Sequence, residues 1–464
     1  VLDYHSSRGQ APVLPFPDVL LSGLASDGGL YIPTRWPRLT DAAPEQYADL
    51  AAAVMAPFVE GTIDLDEFGA MVASAYATFD ADDVCPLVPL DDDHHLLELF
   101  HGPTLAFKDV ALQLVGRLFD YELSRRGERV MIVGATSGDT GSAAMEAVRD
   151  SDKVDIVVLF PHGRTSEVQR KQMTTLGAAN VHAVAVEGTF DDCQDMVKAM
   201  FADQSFRERN HLSAVNSINW ARVMAQTVYY VWASQRLGRR STPTTFCVPT
   251  GNFGNVFAGH VAASMGLPVE RFLVASNRND ILTRLIDTGE MVADEVIPTL
   301  SPSMDIQISS NLERLLVELL DGNGPGTAEL LNSFRERGRA SLTADQHERL
   351  RSEFDGARLD DDETLAVIAQ TYERHGILVD PHTAVGIGAA ERLRRPGEMV
   401  VTLATAHPAK FPDAVEKATG VRPELPGKLA GLLDRDEEFV LLPNNLAIVQ
   451  DFVDGCRRGS PGIA

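Results

Sequence analysis

An α/β architecture, with parallel sheets covered by helices on both faces, is what this 464-residue sequence predicts. Three observations carry it. Short, continuous apolar runs recur (Arg129–Ala135, Val154–Phe160, Thr244–Val248), each short for a helix and unbroken enough to be a strand buried on both faces. Helical patterns lie between the runs, and strand, crossover helix, strand is how parallel strands are joined. Two runs end in glycine-rich turns that open the next helix, Thr136-Ser137-Gly138-Asp139-Thr140-Gly141 and Pro249-Thr250-Gly251-Asn252-Phe253-Gly254-Asn255.

In chain order, residues 1–96 read as a separate N-terminal unit. Pro12, Pro15, Pro17, Pro33 and Pro37 mark loops around the Asp27-Gly28-Gly29 turn, and helical patterns follow at 44–58 and 65–79. Asp91-Asp92-Asp93-His94-His95 reads as a polar turn before a strand. Neighbours in an extended segment point alternate ways and do not converge on a metal. Residues 97–235 read as a smaller α/β lobe. It starts a helix near Lys108 (Val110, Leu112, Leu114, Val115, Leu118) and adds a weaker strand at Val181–Val186 to the runs at 129–135 and 154–160. Residues 236–464 read as a larger lobe with strands at Thr244–Val248, Phe272–Ser276 and Met399–Thr405, and a mostly helical insertion at about 280–375. Polar breaks interrupt that insertion at Gly322–Gly326 and Asp360–Glu363, the latter suited to the positive start of a helix.

An apolar fraction of 44% and a charged fraction of 23% are those of a soluble globular protein. The net charge of −25 argues against nucleic acid, whose phosphates it would repel, but not against a small anion met by local basic groups. Cys85, Cys193, Cys247 and Cys456 are scattered, which is neither a disulfide framework nor a zinc site, and no metal is expected. No apolar run approaches membrane-spanning length and no basic-then-apolar leader is seen, so the expectation is a cytoplasmic protein without a membrane partner.

The chemistry-bearing stretch is His101-Gly102-Pro103-Thr104-Leu105-Ala106-Phe107-Lys108-Asp109. Most lysines are solvated, but Lys108 follows an apolar run at a helix entry, where a buried ammonium sheds its proton readily and becomes an amine nucleophile. Both glycine turns place backbone N–H groups at a helix start, an arrangement that suits anions. Each is also readable as a plain tight turn. Neither is a Walker loop or a dinucleotide fingerprint, which disfavours a nicotinamide oxidoreductase. A third segment, Asn216-Ser217-Ile218-Asn219-Trp220-Ala221-Arg222, is either a phosphate site or a helix cap followed by a surface arginine. Ala404-Thr405-Ala406-His407-Pro408-Ala409-Lys410 follows the last strand; the ordinary readings there are a loop histidine and a solvated lysine.

With HGPTLAFKD, GATSGDTG at 134–141, NSINW at 216–220, PTGNFGN at 249–255 and ATAHPAKF at 404–411, most of the chain resembles the threonine synthase family in its longer bacterial and fungal branch. The resemblance implies the two-lobed fold-type II architecture of pyridoxal-phosphate enzymes plus the N-terminal accessory domain. It implies pyridoxal 5'-phosphate held as a Schiff base by Lys108 and contacted by Gly251, Asn252, Phe253, Gly254, Asn255, Thr405 and Asp139. Asp139 departs from many relatives, which carry asparagine there. The implied substrate is O-phospho-L-homoserine, its carboxylate on Thr136, Ser137 and Thr140, its phosphate on Asn216, Ser217, Asn219, Arg222 and Lys410. The implied reaction is that of a carbon–oxygen lyase in threonine biosynthesis: γ-elimination of phosphate, then hydration at Cβ, with Lys108 moving the protons. A serine dehydratase or cysteine synthase needs only two anion loops; the third favours a phosphorylated amino acid. Relatives of the longer type are often monomers, the state expected here, with a dimer as the alternative.

Overall fold

The computed structural model describes residues 1–40 and 44–458. The chain divides into two compact units. The larger holds residues 1–19, 24–111 and 217–423; the smaller holds 20–23, 112–216 and the chain from 424 on. This differs from the division at 97 and 235 expected from the strand pattern. The N-terminal segment is part of the larger unit. So is helix Trp220–Arg236, which packs on helices Tyr47–Val59 and Gly254–Ser264.

The larger unit is built on a six-stranded sheet in the order Phe354–Arg358, Val269–Ser276, Thr244–Pro249, Val400–Ala404, His94–Glu98, Leu87–Pro89. All pairings are parallel except the last. The expected strands at 244–248, 272–276 and 399–405 are present. Strand His94–Glu98 takes up the two histidines that the sequence pattern places in a turn. His94 pairs with Val400, and its Nε2 lies 2.8 Å from the Thr402 hydroxyl, so the imidazole is satisfied inside the sheet. Burial, with Arg394 nearby, pushes its pKa down to about 4 and keeps it neutral.

Helix Pro381–Leu393 covers one face, with Val385 and Ala389 packed against Cys247, Leu273 and Val400. It approaches closely because residue 386 is glycine: a Cβ there would stand 2.9 Å from Thr402 Cγ2. Between 280 and 375 the chain is mostly helical, as expected. Asp360 caps helix Asp361–His375 and exchanges hydrogen bonds with Glu363 in a capping box. Strands Leu14–Pro15, Asp3–Ser6 and Tyr31–Pro33 form a small antiparallel sheet at the N-terminus.

The smaller unit is a five-stranded parallel sheet in the order Val440–Pro443, Val181–Glu187, Val154–Pro161, Val130–Ala135, Leu212–Ser213. Its core joins Met131, Val157 and Val184 to Met196 and Val449 from two helices. Among the described residues, no helix is long and apolar enough to cross a membrane.

Candidate active site

Ligands of open α/β sheets bind beyond the carboxyl ends of the strands. Three adjacent parallel strands of the larger unit, Thr244–Pro249, Val400–Ala404 and His94–Glu98, deliver there the loops 250–255, 405–410 and 99–107. The last leads into helix Lys108–Arg126, so Lys108 sits at a helix start and is 8% exposed.

The turn ahead of Lys108 is tightly specified. Asp109 is fully buried and accepts from the backbone N–H and the hydroxyl of Thr104, both at 2.7 Å. Leu105 is held at φ +62°, a costly conformation for a bulky side chain. The loop is laced to its neighbour: Phe107 N–H donates to Thr405 O at 2.9 Å, His407 N–H to Leu105 O at 3.0 Å, and Lys410 Nζ to Thr104 O at 2.6 Å. Lys410 is fully buried rather than solvated. His407 accepts from the Ala409 N–H at 3.1 Å, and burial together with His101 and Lys410 pushes its pKa down to about 4.

In the glycine loop of the larger unit, Thr250 Oγ1 accepts from the Phe253 N–H and Phe253 adopts φ +62°. Gly251 lies against the 303–306 turn, where a Cβ would stand 3.1 Å from Met304 Cα. Helix Gly254–Ser264 begins here, and its first N–H groups lack intrahelical acceptors. Asn255 Oδ1 accepts from the hydroxyls of Tyr229 and Tyr230, which leaves its buried Nδ2 without a partner among the described residues.

Asn219 caps helix Trp220–Arg236, its Oδ1 accepting from the Ala221 N–H at 3.0 Å. That half of the cap-and-surface-arginine reading holds; the other half does not. Arg222 is 4% exposed, and its Nε and Nη1 have no partner among the described residues. Burial pulls its pKa down to about 10, which still leaves it charged at neutral pH. A buried, unpaired guanidinium is costly unless an anion meets it.

In the smaller unit, Thr136–Gly141 and Asn216 follow the carboxyl ends of the adjacent strands Val130–Ala135 and Leu212–Ser213. Thr136 Oγ1 accepts from the N–H groups of Gly138 (3.0 Å) and Gly141 (2.9 Å), leaving its O–H to donate. Ser137 and Thr140 are half-buried. Asp139 opens helix Asp139–Ala147, is 3% exposed and accepts from Gln169 Nε2 at 2.9 Å. Of the expected residues, Lys108, Ser217, Asn219, Arg222, Gly251–Asn255, Thr405 and Lys410 thus lie in the larger unit, and Thr136, Ser137, Asp139, Thr140 and Asn216 in the smaller.

The residues fit pyridoxal phosphate. The helix start with the orphaned Asn255 amide suits its phosphate, and the buried Lys108 amine its aldehyde. Reading the sequence did not find Asp109 or Gln169. Only Asp109 carried a signal, an acid in the first turn of a helix.

Comparison with known proteins agrees. Residues 3–76 match the family model described as threonine synthase N terminus, 94–333 that described as pyridoxal-phosphate dependent enzyme, and 383–453 that described as threonine synthase, C-terminal. The threonine synthase of Pseudomonas aeruginosa is 53% identical over 466 residues, covering 99% of each chain. A crystal structure of PLP-bound threonine synthase from Brucella melitensis is 50% identical with a TM-score of 0.96, covering 99% of this chain and 100% of that one. The structure of the yeast threonine synthase is 38% identical with a TM-score of 0.92, covering 98% of each. On this full-length likeness, the chain belongs to the threonine synthase family of pyridoxal-phosphate dependent enzymes.

Proposed function

We propose that the chain converts O-phospho-L-homoserine and water to L-threonine and phosphate, with Lys108 as the group that moves the protons. Pyridoxal phosphate, when bound, supplies the electron sink that makes the Cα and Cβ protons removable. The Lys108 amine takes the Cα proton and then a Cβ proton, and phosphate leaves from Cγ. Lys108 returns one of these protons to Cγ, the other leaves with the departing phosphate, and water adds its hydroxyl at Cβ and a proton at Cα. Ser217, Asn219 and Arg222, with Asn216, hold the departing phosphate. Thr136, Ser137 and Thr140 hold the carboxylate. Backbone N–H groups of 251–255 and the Asn255 amide hold the cofactor phosphate, Thr405 serves its ring nitrogen, and Asp139 its 3′-oxygen. Lys410 supports this set through Thr104.

The observation that supports the substrate class is Arg222: a buried cation with two donor atoms unpartnered among the described residues suits an anion, and it opens a different helix from the glycine loop that suits the cofactor phosphate. The test is to incubate holoprotein with O-phospho-L-homoserine and follow phosphate and L-threonine together, with Lys108→Ala as control. Equal release of both, lost in the variant, is expected. Phosphate without threonine would overturn the hydration step.

A further inference from the structure

Two of the three anion loops share one residue, through its backbone and its side chain. Asn311, fully buried at the start of helix Leu312–Leu319, donates its backbone N–H to Asn252 O at 3.1 Å and its Nδ2 to Ser217 O at 3.0 Å. The first carbonyl lies in the glycine loop, the second in the Asn216–Arg222 segment. Space around it is tight: a Cβ on Gly254 would stand 3.1 Å from Asn311 Nδ2. Asn311 Oδ1 accepts from Arg314 Nη1, so the amide cannot turn round without facing a guanidinium with its own N–H groups. Arg314, also fully buried, donates Nη2 to Ile218 O at 2.6 Å and Nε to Tyr31 O at 3.1 Å.

The same helix start is gripped from the N-terminal segment. Glu313 accepts from Arg8 Nε (2.9 Å) and Nη2 (3.0 Å), a two-pronged pair, and from the Ser7 hydroxyl at 2.6 Å. Both partners belong to the N-terminal stretch Tyr4–Gly9. Buried charge pairs of this geometry fix position more than they add stability.

We propose that Asn311 is a positioning residue that sets the distance between the cofactor-phosphate loop and the substrate-phosphate segment, and that Ser7 and Arg8 hold it in register through Glu313. The assignment rests on the function proposed above. It gives the active site a ruler: a phosphorylated amino acid with a different number of carbons between amine and phosphate meets loops fixed at the wrong spacing.

The test uses holoprotein with Asn311→Ala, Asn311→Asp and Arg8→Met. Asn311→Asp keeps the acceptor for Arg314, and so the fold, but sets an oxygen against Ser217 O. KM for O-phospho-L-homoserine, inhibition by inorganic phosphate, and cofactor affinity (by titrating apoprotein and reading the visible band) are measured for each. Both Asn311 variants are expected to raise KM and the phosphate inhibition constant together about tenfold and to weaken cofactor binding several-fold, with kcat falling no more than threefold. Arg8→Met is expected to shift the same constants in the same direction, less strongly, and to have no further effect in the Asn311→Ala background. A merely structural role would lower the active fraction and leave these constants alone; that result overturns the proposal, as does full additivity of the two substitutions. If wild-type holoprotein releases no phosphate at all, the proposed function has failed. The spacing role is then judged on phosphate and cofactor binding, and unchanged affinities for both in the variants overturn it.

Discussion

The Lys410 ammonium donates to the Thr104 carbonyl at 2.6 Å, tying the chain after one central strand to the turn that presents Lys108. Thr104 is also the residue that Asp109 grips from the far side of that turn. Lys410, whose alternatives in the sequence are a substrate-phosphate contact and a solvated lysine, thus braces the turn ahead of Lys108.

Replacing it by an apolar residue of similar length removes the bond that the buried Thr104 carbonyl receives from the ammonium. Lys410→Met is expected to cost about 1–3 kcal/mol of unfolding free energy, measured by denaturant titration. Turnover is expected to fall about 10-fold or more, because a small misplacement of a reacting group is expensive. Undiminished turnover would show that the turn holds Lys108 without this bond.

Arg222 carries the opposite trade. Its charge is buried without a full set of partners, so Arg222→Met is expected to stabilise the phosphate-free protein, or at worst leave it unchanged, by the logic that makes apolar replacements of buried charges favourable. The same change is expected to raise KM for the phosphorylated substrate at least 30-fold, about 2 kcal/mol or more. Inorganic phosphate should raise the thermal midpoint of the wild type and not of the variant. A variant that loses stability yet keeps its phosphate response would show that Arg222 is structural.

Gln169 does two jobs in the smaller unit. Its Nε2 donates to Asp139, and its Oε1 accepts from the Ser166 N–H as part of a helix cap. Gln169→Glu sets a second carboxylate against a buried one, and like charges raise proton affinity. If Asp139 faces the cofactor's 3′-oxygen, the pH at which the visible band of the holoprotein changes should move up by about one unit. Gln169→Met should leave that pH closer to the wild-type value. A band that ignores both changes would place Asp139 away from the ring.

What was legible in the sequence was whatever the chain writes contiguously. Lys108, Thr136–Gly141 and Gly251–Asn255 each lie in one short stretch, because a turn opening a helix is a local object. Strand His94–Glu98 was half missed, because two histidines disguise an interior strand when one of them is satisfied by Thr402, far along the chain. The burial of Arg222 was not readable either. Helix Trp220–Arg236 is buried on every side through Ser234, so no periodicity separates a polar face from a ligand face. Asn311 and Arg314 look like ordinary helix residues; their roles rest on carbonyls of residues 31, 217, 218 and 252. The lobe boundary shifted for the same reason: which strands and helices share a core is settled by non-local packing.

His260 gives a pH dependence whose sign can be worked out. It lies on the helix that opens from the glycine loop, 8% exposed at its side chain. Its Nδ1 is 2.9 Å from Glu353 and its Nε2 2.8 Å from Glu318. Burial opposes its charge, but the two carboxylates outweigh burial and raise its pKa from 6.5 to about 10. A pKa raised by folding means that the folded state binds the proton more tightly than the unfolded chain. The stabilisation is fully present below about pH 6.5 and is lost as the pH climbs toward 10. The difference in unfolding free energy between wild type and His260→Gln should therefore be largest at pH 6 and shrink through pH 7–10, by at most about 1.4 kcal/mol per unit. Comparing the two proteins cancels the other groups that titrate in this range, as long as they are undisturbed by the substitution. A difference that stays flat from pH 6 to 10 would mean that the imidazole is neutral in the folded protein and bridges the two glutamates through a proton carried by one of them.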